Sequence, residues 1–386
     1  MIPIFITGVG VVTSSGVGTA PLEADLRKAE GEPVRVDSLT RDGRYPYAPL
    51  SAEFEGEQDV TSCTVLDRCM DTLLGGAPVA PEFLHGPRTA LVLGVTEGMH
   101  RRWVPEDGEG SLADSLALSD FYEFDVCETF ATTWGLRGPR MAINTACSSS
   151  ACAFGVAVEL IRSGVCDRAV TGGAALLNRF DVFGFRSSRL LAGRSARPFD
   201  KRRDGLMLGE GGALILLERG DLLSAAPLAE VASWESNNER HSITAPEPSG
   251  RCLAACIGKA LAAGGVAVSD VDYVNAHGTG TVANDRSEAL GLARLLGSDR
   301  LRPLVSSTKG LHGHLRGAGG AVEVVVTMLA LQHGFAPVTR GCTDPIEECA
   351  WHCVRETPEF REINWAATVS RGFGGTNVAI VLKKCG

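Results

Sequence analysis

Nothing in the chain approaches the ~18 consecutive apolar residues that a membrane span requires. Its first apolar stretch, Met1 to Val12, has no basic residues ahead of it and is broken by Gly8 and Gly10, so it reads as an opening strand and not as a signal peptide. Positive charge is also short. Against 46 Asp and Glu stand only 37 Lys and Arg, leaving a net charge of −9, which argues against nucleic acid as the main partner. The paired C-x2-C spacing of structural zinc sites is missing too. Cys252/Cys256 suits one face of a helix, and Cys349/His352/Cys353 resembles a ligand set only superficially, so no metal site is expected. Twelve cysteines scattered over 386 residues do not make a disulfide-stapled mini-domain. The expectation is a reduced, cytoplasmic protein with no membrane partner.

What the chain does have is a large apolar fraction, 44%, enough for a sizeable core, and 46 glycines, which imply many tight turns and close backbone approaches. One stretch stands out. Ala142 to Arg162 reads AINTACSSSACAFGVAVELIR: a short strand-like run, then dense Ala, Phe, Val and Leu until Ser163-Gly164, a helix stop. Cys147 then falls at a strand-to-helix turn, beside the unpaired N–H groups of the first helical turn. The helix dipole is expected to lower its pKa below the usual thiol value. Ser148, Ser149, Ser150, Ala151 and Ala153 are small, so backbone can pack closely around the sulfur.

Strands alternate with helices along the chain, which implies parallel sheet covered by helices. In the first half the strand-like runs are Pro3 to Val12, Thr89 to Leu93, Asp167 to Ala174 and Leu214 to Glu218. Between them lie a polar turn over 105–110, a helical pattern over Leu112 to Trp134 and a polar excursion over 193–205. A second series opens at Leu228 and repeats the order. A helix over Arg251 to Ala263 is capped by Ser249. The strand Tyr273 to Ala276 delivers His277, and Asp285 with Glu288 forms a capping box for a helix over Arg286 to Leu296. The strand Leu304 to Thr308 delivers Lys309 ahead of an apolar helix over Ala321 to Gln332. A last strand pair, Ala366 to Ser370 and Val378 to Leu382, flanks Arg371 to Thr376. Residues 1–225 and 226–386 thus read as two similar halves, the first carrying the cysteine and the second two histidines.

Four segments carry the chemistry: TACSSS (145–150), NAHGTGT (275–281), STKGLHGHLRGAGG (307–320) and GFGGTN (372–377). With RPFDKRRDG and GEGGALILLE (197–218), they closely resemble the β-ketoacyl synthases, most of all the type II enzymes that extend chains on acyl carrier protein. The resemblance implies the thiolase-like fold: duplicated βαβ halves in a five-layer αβαβα arrangement, paired as a homodimer or as a heterodimer with a ketosynthase-like partner. It further implies that Cys147 accepts the acyl group and that His277 and His314 stabilise the enolate left when a malonyl thioester loses CO2, a task suited to neutral N–H donors. In the family's K-x4-H pattern Lys309 matches with His314, so His312 is left out, and Lys309 is expected to pair with Glu288.

The resemblance further implies that the GFGGTN turn lets the Phe373 N–H and the Cys147 N–H form the acyl-transfer oxyanion hole, and the Phe373 ring resembles the family's gate. Thr279 and Thr281 match hydroxyls that bind pantetheine. No resident cofactor is implied, because phosphopantetheine is carried by the partner. Docking an acidic carrier protein on an acidic chain calls for a local basic patch. Arg101, Arg102, Lys201 and Arg202 are its candidates, while the alternative reading of Arg203 is structural. Two departures from the pattern, a short 186–196 connection and a polar Glu97 near the expected acyl pocket, point away from a plain long-chain fatty acyl substrate toward a specialised pathway. Three other readings compete with this one. A thiolase would need a second cysteine where GFGGTN stands. A ketosynthase-like acyltransferase would pass its acyl group to an alcohol or amine. A non-elongating partner subunit of a heterodimer usually lacks the nucleophile.

Overall fold

The structure is a computed structural model that describes residues 2–31, 36–39, 45–57, 59–76, 81–96, 123–297 and 303–386. Two strand sets with one topology form its frame. Across the first half the strands run Ile4–Thr13, Gly211–Arg219, Arg168–Ala175, Thr89–Gly94 and Arg140–Ile143. Across the second they run Ala229–Asn238, Thr376–Lys383, Trp365–Gly372, Tyr273–Asn275 and Leu304–Ser306. In each set the first two junctions are antiparallel and the last two parallel. The sets meet where Ile4, Phe5 and Ile6 pair antiparallel with Val231, Glu230 and Ala229. The strand Thr89–Gly94, paired on both sides, is buried at every position, as a strand covered on both faces must be, and its near-unbroken apolar sequence follows from that.

Helices complete the layers. Ser62–Gly76 and Glu123–Thr133 pack outside the first set, and Arg251–Ala263 and Val282–Leu296 outside the second. Between the sets lie Ser149–Arg162 and Gly319–His333, which contact each other and strands of both halves. Position explains composition. Gly319–His333 is buried from Gly319 through Leu331, so it has no polar stripe, as expected of a helix enclosed on all sides. Close approach also explains Gly94, where a Cβ would stand 2.2 Å from the Ser150 amide nitrogen. The result is the five-layer αβαβα arrangement expected of a thiolase-like fold. Among the described residues no helix is long and apolar enough to cross a membrane.

Three local expectations are corrected. The helix expected over Arg286 to Leu296 begins at Val282, so Asp285 and Glu288 lie inside it and do not form a capping box. Arg251–Ala263 is preceded by Gly250 in the left-handed region, and the Ser249 hydroxyl binds Glu247 instead of capping the helix. Of the helical pattern over 112–134, the described part is Glu123–Thr133. The turn at 105–110, Glu97, Arg101 and Arg102 lie outside the described residues.

Candidate active site

Cys147 is delivered by a stitched elbow. The strand Arg140–Ile143 ends at Asn144, Ala146 takes a left-handed φ of 53°, and the helix starts at Ser149. A non-glycine residue holds that φ only where its surroundings compel it, and here the serines do. Ser149 Oγ donates to Ala146 O at 2.6 Å and accepts from the Thr145 amide at 2.9 Å. Ser148 Oγ donates to Thr145 O at 2.8 Å. Ser150 Oγ accepts from the Ala321 amide at 2.9 Å, tying this helix to its counterpart in the other half. The serines are therefore chosen for their hydroxyls as well as for their size.

His277 follows the strand Tyr273–Asn275 on a turn wrapped around two buried carboxylates. Glu288 accepts from the amides of His277 (2.7 Å) and Gly278 (2.8 Å). Asp285 accepts from Thr279 (3.1 Å) and Gly280 (3.1 Å). Burial pushes both carboxyls above the usual range, against the pull of these amides. Glu288 thus shapes the His277 turn and does not pair with Lys309. Replacing it with alanine removes two charge-assisted hydrogen bonds and is expected to cost about 3 kcal/mol of stability. Urea denaturation of the variant measures this, and an unchanged midpoint would refute the assignment.

Lys309 pairs instead with Glu323, both about 1% exposed, across the start of the helix Gly319–His333. Burial lifts the Glu323 carboxyl to about 7, against the pull of the Lys309 ammonium. The same ammonium helps to hold His277 and His314 well below the ordinary histidine range, burial being the larger cause, so both rings are neutral. They meet edge to face with centroids 5.4 Å apart. The Arg316 amide donates to His314 Nδ1 at 3.2 Å, which leaves the ring proton on Nε2 as a donor. His277 Nδ1 is buried with no hydrogen-bond partner among the described residues. His312 is occupied elsewhere, bound to Thr308 Oγ1 (2.8 Å) and Gly313 O (2.9 Å).

The elbow and the two turns converge on a cavity of about 270 Å³. Cys147, His277, His314, Thr279, Thr281 and Phe373 all line it. The Thr279 and Thr281 hydroxyls also bond each other at 2.9 Å. The Phe373 amide donates to the Cys147 sulfur, and its ring packs against Phe185 with centroids 6.2 Å apart. The short 186–196 connection contributes Arg189 and Leu190 to the wall. Arg371, buried against Glu239 at 2.7 Å, joins the GFGGTN turn to the 239–246 segment across the cavity.

The thiol departs from expectation. Burial pushes Cys147 up to about 11, ahead of the lowering effects of Lys309, Arg316 and the Phe373 amide, and Asp181 adds to the rise. The dipole argument fails because a desolvated anion loses more than a helix end returns. Below about pH 11 the thiolate fraction therefore rises about tenfold per pH unit. Alkylation of Cys147 by iodoacetamide, followed by peptide mass, should climb with that slope through pH 8 to 10. A plateau near pH 8 would contradict this.

Lys201 and Arg202 do not line the cavity. Lys201 pairs with Asp344 (3.1 Å) on the surface and exposed Arg202 with buried Asp200 (3.2 Å), while Arg203 is a buried partner of Asp285 (3.9 Å). Among the described residues no three His, Cys, Asp or Glu side chains converge as metal ligands, and all twelve cysteines are free thiols. Reasoning from the sequence missed Glu323, Phe185 and Arg371. Only Glu323 left a clear signal, as the one charge in the apolar run Ala321 to Leu331.

The chain matches two family models. "Beta-ketoacyl synthase, N-terminal domain" covers residues 60–222, and "Beta-ketoacyl synthase, C-terminal domain" covers residues 228–343. The tetracenomycin polyketide synthase ketoacyl synthase alpha subunit of Streptomyces glaucescens is 32% identical, with 99% of this chain and 97% of that protein covered. The 3-oxoacyl-[acyl-carrier-protein] synthase 2 of Rhizobium meliloti (strain 1021) is 38% identical over 64% of this chain and 62% of its own length. Among solved structures, a β-ketoacyl synthase from Burkholderia phymatum STM815 superposes with a TM-score of 0.85 at 25% identity, with both chains fully covered. The ishigamide ketosynthase/chain length factor gives 0.87 at 24%, also with full coverage.

Proposed function

Since the chain belongs to the β-ketoacyl synthase family, we propose that it is an acyltransferase that condenses an acyl thioester with malonyl-acyl carrier protein, with loss of CO2, in a polyketide-like or fatty-acid-like pathway. The observation that carries this is the convergence of Cys147 from one half with His277 and His314 from the other on a single cavity.

The residues divide the work. Cys147 exchanges its proton for the acyl group of the incoming thioester, and the carrier leaves as a thiol. The Phe373 amide, which rests on the sulfur, is placed to bind the carbonyl oxygen as negative charge develops there, together with the Cys147 amide. Malonyl carrier follows, its pantetheine amides held by Thr279 and Thr281. Cleavage of its carboxylate bond releases CO2, and the electron pair moves to the thioester oxygen, where His314 Nε2–H and His277 stabilise it. The enolate carbon then attacks the acyl-Cys147 carbonyl, and collapse expels the Cys147 thiolate. Burial, with the positive charge of Lys309 adding to it, keeps both imidazoles unprotonated, and Glu323 holds Lys309 in place beside them.

Residues 1–225 and 226–386 act as the two halves of this site. Phosphopantetheine stays on the carrier, and no resident cofactor is needed. Free thiols suit a cytoplasmic setting. The acyl carrier protein is the docking partner, and a second copy of the chain or a ketosynthase-like subunit completes a dimer. The solved ketosynthases bound to a chain length factor favour the heterodimer. The intact cysteine and histidine pair favours the elongating role over the non-elongating one. The test is to incubate the protein with acyl- and malonyl-carrier proteins while following CO2 and intact product mass. A product lengthened by two carbons supports condensation. Acyl-Cys147 that passes to an alcohol or amine without CO2 release would replace this reading with acyl transfer.

A further inference from the structure

Arg316 stands two residues beyond His314, is 3% exposed and holds a φ of +47°. A non-glycine residue keeps that conformation only under constraint, and its side chain supplies one. Nε lies 2.8 Å from Asp181 Oδ2, Nη1 donates to Gly209 O at 3.3 Å, and Nη2 donates to Leu176 O. A buried guanidinium needs such partners, because an unpaired charge there is costly. Asp181 also accepts from Asn178 Nδ2 at 2.8 Å. It belongs to the helix Arg179–Ser187, one turn before Phe185. Phe185 packs on Phe373, and the Phe373 amide rests on the Cys147 sulfur. Contacts from His314 to Arg316 and Asp181, one turn of the helix Arg179–Ser187, and contacts from Phe185 to Phe373 and Cys147 therefore connect the two ends of the site. Neither Arg316 nor Asp181 lines the cavity itself.

We propose that Arg316 and Asp181 are positioning residues for the condensation. Their ion pair locks the His314 imidazole and the Phe185–Phe373 gate into one register, and their opposite charges offset each other at the Cys147 sulfur. This rests on the function proposed above. The charged groups acting on the sulfur are Lys309, itself paired with Glu323, together with Asp181 and Arg316; His277 and His314 are neutral. Arg316 favours the thiolate and Asp181 opposes it. Removing one charge should therefore do the reverse of removing the other, whereas loss of a mere strut would loosen the cavity the same way in both cases.

Iodoacetamide alkylation of Cys147 at about pH 8, read by peptide mass, tests this without using the condensation. A half-unit change in thiol pKa alters the rate about threefold. Asp181→Asn should react about threefold faster than the wild type, Arg316→Gln about threefold slower, and Arg316→Lys, which keeps the charge, near the wild-type rate. Changes of the same sign in Asp181→Asn and Arg316→Gln, or no change in either, overturn the proposal. Should Arg316→Gln fail to fold by circular dichroism, faster Asp181→Asn beside unchanged Arg316→Lys still supports it, and any other pairing overturns it. Failure of the proposed function is separately visible, as a wild-type protein that never takes an acyl group from carrier protein.

Discussion

Cys147→Ala is expected to abolish acyl loading completely, with no acylated protein by intact mass after incubation with acyl carrier. Among the described residues no other group is placed to replace it. Ser148, Ser149 and Ser150 are all buried and committed to hydrogen bonds that shape the elbow or dock the opposite helix. Cys152, the nearest other thiol along the chain, sits a turn into the helix and does not line the cavity. The side chain lost is small and borders an existing cavity, so the variant should melt close to the wild type. It should also still decarboxylate malonyl carrier, because the two imidazoles remain. Residual loading of the variant would place the nucleophile elsewhere.

His277→Ala and His314→Ala should each slow CO2 release from malonyl carrier by about 100- to 1000-fold, the usual cost of removing one donor from an oxyanion site. Loading of Cys147 should change far less, since the Phe373 amide serves that step. His314→Gln keeps an N–H donor and should recover part of the loss. Both rings lie well below the ordinary histidine range, so they stay neutral as pH rises through 6.5. The decarboxylation rate of the wild type should therefore be flat between about pH 6 and 8. A fall across that window would mean that an imidazolium does the work. Equal losses in loading and decarboxylation would mean that the rings act on both steps.

Much of this site was legible before any fold was in view, because its chemistry is local. A cysteine at a strand-to-helix turn and histidines on glycine-rich turns declare themselves by residue type and spacing. Partnerships were harder. The family pattern suggests Glu288 as the partner of Lys309, whereas the fold brings Glu323, on the following long helix, against it. The capping-box reading of Asp285 and Glu288 rested on a real preference for carboxylates near exposed amides. The amides they satisfy belong to the His277 turn and, for Asp285, also to Phe199, because the helix starts at Val282. The lowered thiol pKa failed for a related reason: the helix position is local, but the burial that outweighs it is not.

From the sequence alone come the alternation of strands and helices, the two halves and the identity of Cys147, His277 and His314, since these depend on residue type and short-range spacing. The tertiary structure decided that Lys309 meets Glu323, that Arg316 meets Asp181 and that the thiol rests protonated. Those outcomes depend on how far each charge is removed from water and on which opposite charge the packing brings within about 3 Å, and neither quantity is written along the chain.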